Sequence, residues 1–303
     1  MFINTDKFLT PNDALLRYIT VINQQFDIEP KARKHYGVHI AYQDLQELRT
    51  DFLEELFDSV TDWVYSSSKY KELHSKAMER GKSEKAASSE VQRKARDKFR
   101  KPTNPDDLLI QGQLGELLLF HFIQYFEKAV PLLRKMRITT SSKHERYGAD
   151  AIHFKYENDK PIIILGEAKT YTSDYKFNTA FEDALNSIIT TYYEHRKELR
   201  SYVHEDFLEK EMDIIADKYI QNTLPDVEVH LYSIIVYNEH EKINLTNQIE
   251  IQQQIEDIIK KRYKSFDNTK IKLKEYPILN RITYIVFPIW LLENFAKDFQ
   301  ALL

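Results

Sequence analysis

Cysteine is absent from the 303 residues. That excludes disulfides, thiol nucleophiles and Cys-based zinc sites, and it suits a reducing cytosol. Ten histidines are present, but none falls in an HExxH motif or shows convincing zinc spacing. A G-x-S-x-G serine elbow is also missing. No apolar run approaches the roughly 20 residues of a membrane span; the best, PIIIL at 161–165, is strand-sized. The opening MFINTDKFLT lacks a basic stretch followed by an apolar one, so no signal peptide is expected. These absences lead to the expectation of a cytoplasmic chain with no membrane contact. Its 42% hydrophobic content is enough for one large domain, or a main domain with an accessory one.

Net charge is −4, and its distribution is uneven. Residues 76–101 carry ten basic and four acidic side chains, a local +6 that leaves −10 on the remainder. A positive segment on an acidic body suits phosphate binding, with Lys94, Lys98 and Arg100 as candidate contacts. A solvated charged helix is the competing reading, and a partner-docking surface is a third.

Residues 1 to about 75 read as helical. DALLRYITVINQQF and QDLQELRTDFLEELFDSVTDWVYSS space apolar residues by three and four, as at Leu45, Leu48, Phe52 and Leu56. The basic segment reads as a charged helix broken near Gly81, or as a flexible insertion. KPTNPDD at 101–107 suggests a linker, so we place a boundary there: a helical region over 1–103, and a second domain over 104–303. In the second domain the pattern gives an apolar helix from about 108, strands near 132–140, 150–157 and 161–171, and a long helix from about 178. A strand over 227–238, a helix over 248–266, a strand over 281–290 and a closing helix follow. This order predicts an α/β fold, a mixed sheet with helices on both faces.

GADAIHF at 148–154 and GEAK at 166–169 each set one acid in an apolar strand. Taken as a hairpin, the two strands join through Asn158-Asp159, residues that tolerate the positive φ of a type I′ turn. Opposed residue numbers then sum to 317, which places Asp150 across from Glu167 with Cβ atoms roughly 4.5–5.5 Å apart. Alternation puts Asp150, Ile152 and Phe154 on one face with Ile163, Leu165, Glu167 and Lys169. His153 falls on the other face. Two carboxylates this close repel, and a hard divalent cation removes that cost. Lys169, about 6.6 Å along the strand from Glu167, can position a water and stabilise charge on a phosphate. The alternative is a charged strand end in which Lys169 neutralises one acid. Acid-x-Lys is a weak pattern by itself, since Glu29-Pro30-Lys31 and Asp174-Tyr175-Lys176 also match. Tyr171, Tyr175 and Lys176 follow in a loop-like stretch and are candidates for stacking on DNA or pairing with its phosphates, or are ordinary loop residues.

An Asp followed after sixteen residues by Glu-Ala-Lys at the close of an apolar strand resembles the PD-(D/E)xK nuclease superfamily. That resemblance implies a restriction-endonuclease-like core of helix, three-strand meander, helix and strand. It makes Asp150 and Glu167 metal ligands, with the Ala168 carbonyl a possible third, and Lys169 the catalytic lysine. The cofactor would be Mg²⁺ or Mn²⁺. Members often carry a further acid on the preceding helix, here Glu116 in QGQLGELLL, as a direct or indirect ligand. An acid favoured near a helix N-terminus is the competing reading. Gly112 and Gly115 would let that helix pack closely on the sheet. One departure is Ala149, where many members have proline. More narrowly, GQLGELLLFHF, YGADAIHF and ILGEAKTY resemble the HamA family, nuclease subunits of the Hachiman anti-phage system. This implies DNA as substrate and a HamB-like helicase as partner. Gly81-Lys82-Ser83 looks like the end of a P-loop, but that motif needs glycine at 76, which is Lys76, so no ATP binding by this chain is expected. The function expected is a metal-dependent DNA endonuclease; the alternative is a weakly catalytic nuclease-fold subunit that mainly binds a partner or nucleic acid.

Overall fold

The computed structural model describes residues 5–10, 13–99, 111–133, 148–202, 210–244 and 246–303. In chain order the elements are α1 (Asp13–Leu16), β1 (Ile19–Ile22), β2 (Tyr36–Ile40), and a small ribbon of β3 (Tyr42–Gln43) and β4 (Gln46–Glu47). Four helices follow: α2 (Arg49–Asp58), α3 (Val60–Val64), α4 (Ser67–Glu79) and α5 (Glu84–Arg96). Then come α6 (Gln111–Glu127), β5 (Val130–Leu133), β6 (Ala151–Glu157), β7 (Lys160–Tyr171), α7 (Phe177–Tyr202) and α8 (Lys210–Ile220). The chain closes with β8 (Glu228–Glu239), α9 (Gln248–Ser265), β9 (Ile282–Trp290) and α10 (Leu292–Leu302).

Seven strands form one mixed sheet in the order β1-β2-β9-β8-β7-β6-β5. The run β5-β6-β7 is an antiparallel meander, whereas β7, β8, β9 and β2 are mutually parallel. Parallel strands covered on both faces need apolar residues without alternation. LYSIIVY within β8 has that character, and every one of its residues is buried. Helices cover both faces, as expected. Residues of α2, α3, α6 and α10 share one core with Ile162, Ile164 and Ile234, while those of α7, α8 and α9 share the other with Ile163, Leu165 and Ile235.

The N-terminal third departs from the helical expectation. Residues 13–26 yield only a one-turn helix and then β1. All four residues of ITVI are β-branched, which favours a strand once β2 is present as a partner. Strand β2 is buried along its whole length, too short and too apolar for periodicity to identify. Leu45 sits not on a helix face but between β3 and β4, with φ of 65°. The sheet therefore draws strands from both sides of the boundary expected near residue 103. The break expected at Gly81 is present: its φ of 85° separates α4 from α5. The expected linker at 101–107 and the part of the 132–140 strand beyond 133 lie outside the described residues. Among the described residues, no helix is long and apolar enough to cross a membrane.

Candidate functional site

The hairpin of β6 and β7 carries the two singled-out acids. Asn158 and Asp159 both have positive φ, 50° and 66°, as a type I′ turn requires. Glu157 pairs with Lys160, Phe154 with Ile163 and Ile152 with Leu165, so the expected register holds along the ladder. It ends at Ala151 opposite Gly166, one residue short of the expected Asp150–Glu167 pair. Hydrogen-bonded pairs alternate along such a ladder, and the next would join Ala149 to Ala168. Instead, Asp150 Oδ2 accepts from Ala168 N at 2.8 Å. Asp150 N donates to the Gly166 carbonyl at 2.9 Å. Asp150 thus supplies the last rung with its side chain.

What displaces Ala149 is Glu198, from the far part of α7. Its Oε2 accepts from Ala149 N at 2.9 Å. Gly148, with φ of 120°, makes room for it: a Cβ there would lie 2.2 Å from Glu198 Oε2.

Glu167 faces α7 and is 4% exposed. Its Oε1 accepts from Ser187 Oγ at 2.6 Å and from Lys169 Nζ at 3.0 Å, and its Oε2 accepts from Thr191 Oγ1 at 3.2 Å. Lys169 Nζ also donates to Ser187 Oγ at 3.3 Å. Burial pulls the Lys169 pKa down, but the charges of Glu167, Asp150 and Asp183 outweigh it and hold the pKa above its ordinary value. Lys169 is therefore a permanent cation beside the two acids. Two residues on, the Tyr171 hydroxyl donates to Asp183. That bond, with burial, pushes its pKa up to about 12. Asp183, Ser187 and Thr191 are spaced four apart and so lie on one face of α7. They line up against Tyr171, Lys169 and Glu167 on β7. Spacing of polar residues by four beside the apolar stripe of Ala180, Ala184 and Ile188 was the signal that could have found them.

The other predicted residues are more scattered. Glu116 is half-buried on α6, the helix that covers the opposite face of the sheet. A Cβ on its neighbour Gly115 would come within 2.4 Å of Thr170 Oγ1, so glycine is what admits the helix there. Gly112 has no such role, since a Cβ there would meet nothing. His153 packs against Phe120 on the α6 side, and His121 pairs with Ser59 at 2.8 Å in the core. In the basic segment, Glu90 gathers Arg80, Lys82 and Lys94 at 2.6, 2.5 and 2.7 Å, so Lys94 is an ion-pair member. Lys98 is half-buried just beyond α5, Lys176 is exposed at the start of α7, and Arg100 lies outside the described residues.

Among the described residues no group of three or more His, Cys, Asp or Glu is placed to hold a metal. The donor set at the hairpin end is leaner: two carboxylates and the Ala168 carbonyl. It suits Mg²⁺ or Mn²⁺, because Mg²⁺ is commonly held by one or two carboxylates and keeps several waters or phosphate oxygens. It does not suit a closed, zinc-type cage. Glu167 Oε1 is committed to a cation and a hydroxyl.

Two comparisons with known proteins bear on the chain. A sequence model of a family described as HamA matches residues 17–303. No curated protein matches it.

Proposed function

The chain belongs to the HamA family, and on that premise we propose that it is a metal-dependent DNA endonuclease of the PD-(D/E)xK type, serving as effector of the Hachiman anti-phage system beside a helicase subunit. The observation that carries the reading is the hairpin end, where Lys169 pairs with Glu167 under the polar stripe of α7 and the Asp150 carboxylate holds the intervening Ala168 N–H. Helix, meander, helix and parallel strand, in that order from α6 to β8, support a restriction-endonuclease-like core.

Each residue has a distinct task in this reading. Asp150 and Glu167 would hold Mg²⁺ or Mn²⁺ with the Ala168 carbonyl. The metal, when bound, would lower the pKa of the attacking water and offset charge on the leaving oxygen. Lys169 stays protonated and donates to the phosphate oxygens or orients the water, so its ammonium acts electrostatically and not as a base. Ser187 and Thr191 fix the Glu167 carboxylate in one rotamer, which keeps the site formed before substrate arrives. DNA phosphates would approach from the open side, past Tyr171 and Lys176.

A supercoiled-plasmid assay with Mg²⁺ tests this reading. The chain, with its partner where needed, should nick or linearise DNA, EDTA should stop it, and Glu167→Ala combined with Lys169→Ala should abolish it in a folded protein. Undiminished cutting by that double variant would sink the site assignment. A second reading, a subunit that binds but does not cut, is favoured by the commitment of Glu167 Oε1 to Lys169 and Ser187. Calorimetric titration with Mn²⁺ separates the two, because the second predicts no binding that depends on Asp150.

A further inference from the structure

Beyond β7, the chain crosses from Tyr171 to α7 through a short loop, and one residue of that loop is held in an unusual way. Tyr175 has φ of 59°, a left-handed conformation uncommon for a residue with a large side chain. The residue is 79% exposed. The neighbours on both sides are anchored. Asp174 accepts from Asn238 Nδ2, and Asn238 Oδ1 in turn accepts from Leu292 N at 2.9 Å. Phe177 is buried edge-on against Tyr237, with ring centroids 5.0 Å apart. A loop fixed at both ends thus carries an aromatic ring outward. One side of that ring leans on His240, with centroids 4.0 Å apart and planes at 49°. The rest faces solvent.

An ordinary loop tyrosine would gain by folding its ring onto apolar surface. Here the backbone conformation and the anchors hold the ring away from the core, and an observed outlier of this kind motivates a functional hypothesis. The surroundings indicate what the ring would meet. Lys176 is exposed next to it and occupies the position just before α7, where Ser, Thr, Asp or Asn would usually cap the helix. The first turn of α7 contains no acid. Its first N–H groups lack intrahelical partners and, with Lys176, present a positive end to solvent. A planar ring beside a site for one anion has the shape of one nucleotide unit.

We propose that Tyr175 is a stacking platform for an unpaired base, with Lys176 and the N-terminus of α7 taking the adjoining phosphate, so that the DNA engaged is single-stranded at this point. The proposal rests on the DNA-cutting reading for its location. Tyr175 lies six residues past Lys169, which bounds their separation at about 22 Å. At about 3.4 Å per nucleotide along one strand, the stacked base falls within roughly six nucleotides of the phosphate at the carboxylates. A paired base cannot offer its face, because its neighbours in the duplex already cover it. The platform therefore selects strands that are already open: tails, gaps or frayed ends.

The test is binding without metal, so that it does not depend on cleavage. Fluorescence anisotropy of a labelled oligothymidylate, its abasic counterpart and a duplex of equal length is measured with the full chain in EDTA. Wild type should bind the base-bearing strand about 10-fold or more tightly than the abasic one, since stacking is worth about 5- to 150-fold per base. Tyr175→Ala should erase that margin, Tyr175→Trp should keep it, and duplex affinity should change little in either. The platform is overturned by wild type that makes no distinction between base-bearing and abasic strands. It is equally overturned by Tyr175→Ala that retains the margin, including one that weakens all three ligands alike; the last would mark the ring as a general DNA contact that reads no base. Plasmid cutting with Mg²⁺ on the same preparations, with the helicase partner added, separates the two ideas. A base margin without cutting counts against the nuclease and for the platform, whereas cutting without the margin does the reverse.

Discussion

The Ser187 hydroxyl donates to Glu167 Oε1 at 2.6 Å and accepts from Lys169 Nζ at 3.3 Å, so one α7 side chain bridges both members of the acid-lysine pair. Removing it leaves a buried carboxylate with one donor fewer. Ser187→Ala should destabilise the protein by about 1.5–3 kcal/mol, the usual value of a hydrogen bond to a charged group. If the carboxylate is catalytic, plasmid cutting per folded molecule should fall about tenfold or more. Urea denaturation and a cleavage time course check the two parts. An unchanged rate would mean that Glu167 needs no fixing from α7.

Gly148 and Glu198 are matched in the same way. Gly148→Ala places a Cβ 2.2 Å from Glu198 Oε2 at φ of 120°. The loss should be at least about 2 kcal/mol, from strain and clash together. Adding Glu198→Ala removes the clash but orphans Ala149 N. The double variant should therefore lose less than the sum of the single ones, as a urea-based double-mutant cycle would read out.

At the turn, Asp159 has φ of 66° in the second central position. Type I′ turns favour Asn-Gly there, so Asp159→Gly should stabilise by about 0.5 kcal/mol. Asp159→Val should cost about 1–2 kcal/mol, because a β-branched residue resists the left-handed region. If both variants unfold at the same urea midpoint, the turn is not what sets the register.

Stability should fall on acidification from pH 7 to 5. Burial pushes the pKa of His35, His39 and His195 down from 6.5 to about 4. Below 6.5 the unfolded chain takes up protons that the native state refuses, so their contribution is present above that value and is lost as pH falls toward 4. Each group adds at most about 1.4 kcal/mol per pH unit. Urea midpoints across this range should show the slope, and His39→Leu should flatten it. A midpoint independent of pH would contradict the burial of these rings.

Short-range chemistry was legible from the residues alone. Asn158-Asp159 between two apolar runs set the turn, the turn set the register as far as Ala151 and Gly166, and alternation put Glu167 and Lys169 on one face while sending His153 to the other; the expected pairing of Asp150 with Glu167 did not form. These steps need only neighbours along the chain and one hairpin partner. What covers that face was not legible. The α7 stripe of Asp183, Ser187 and Thr191, and the reach of Glu198 to Ala149, arise because α7 packs back across β7 and β8 and its far part meets the chain just before β6. So does the use of the Asp150 carboxylate as the last rung of the ladder, since Glu198 holds the backbone that would otherwise supply it. The same limit explains β1 and β2. Strand β2 forms because the parallel edge of β9 is there to pair with, and residues with helical spacing became β1 because β2 in turn offered them a partner. Local pattern ranks the conformations a segment prefers, but burial against distant elements, worth far more than propensity, chooses among them.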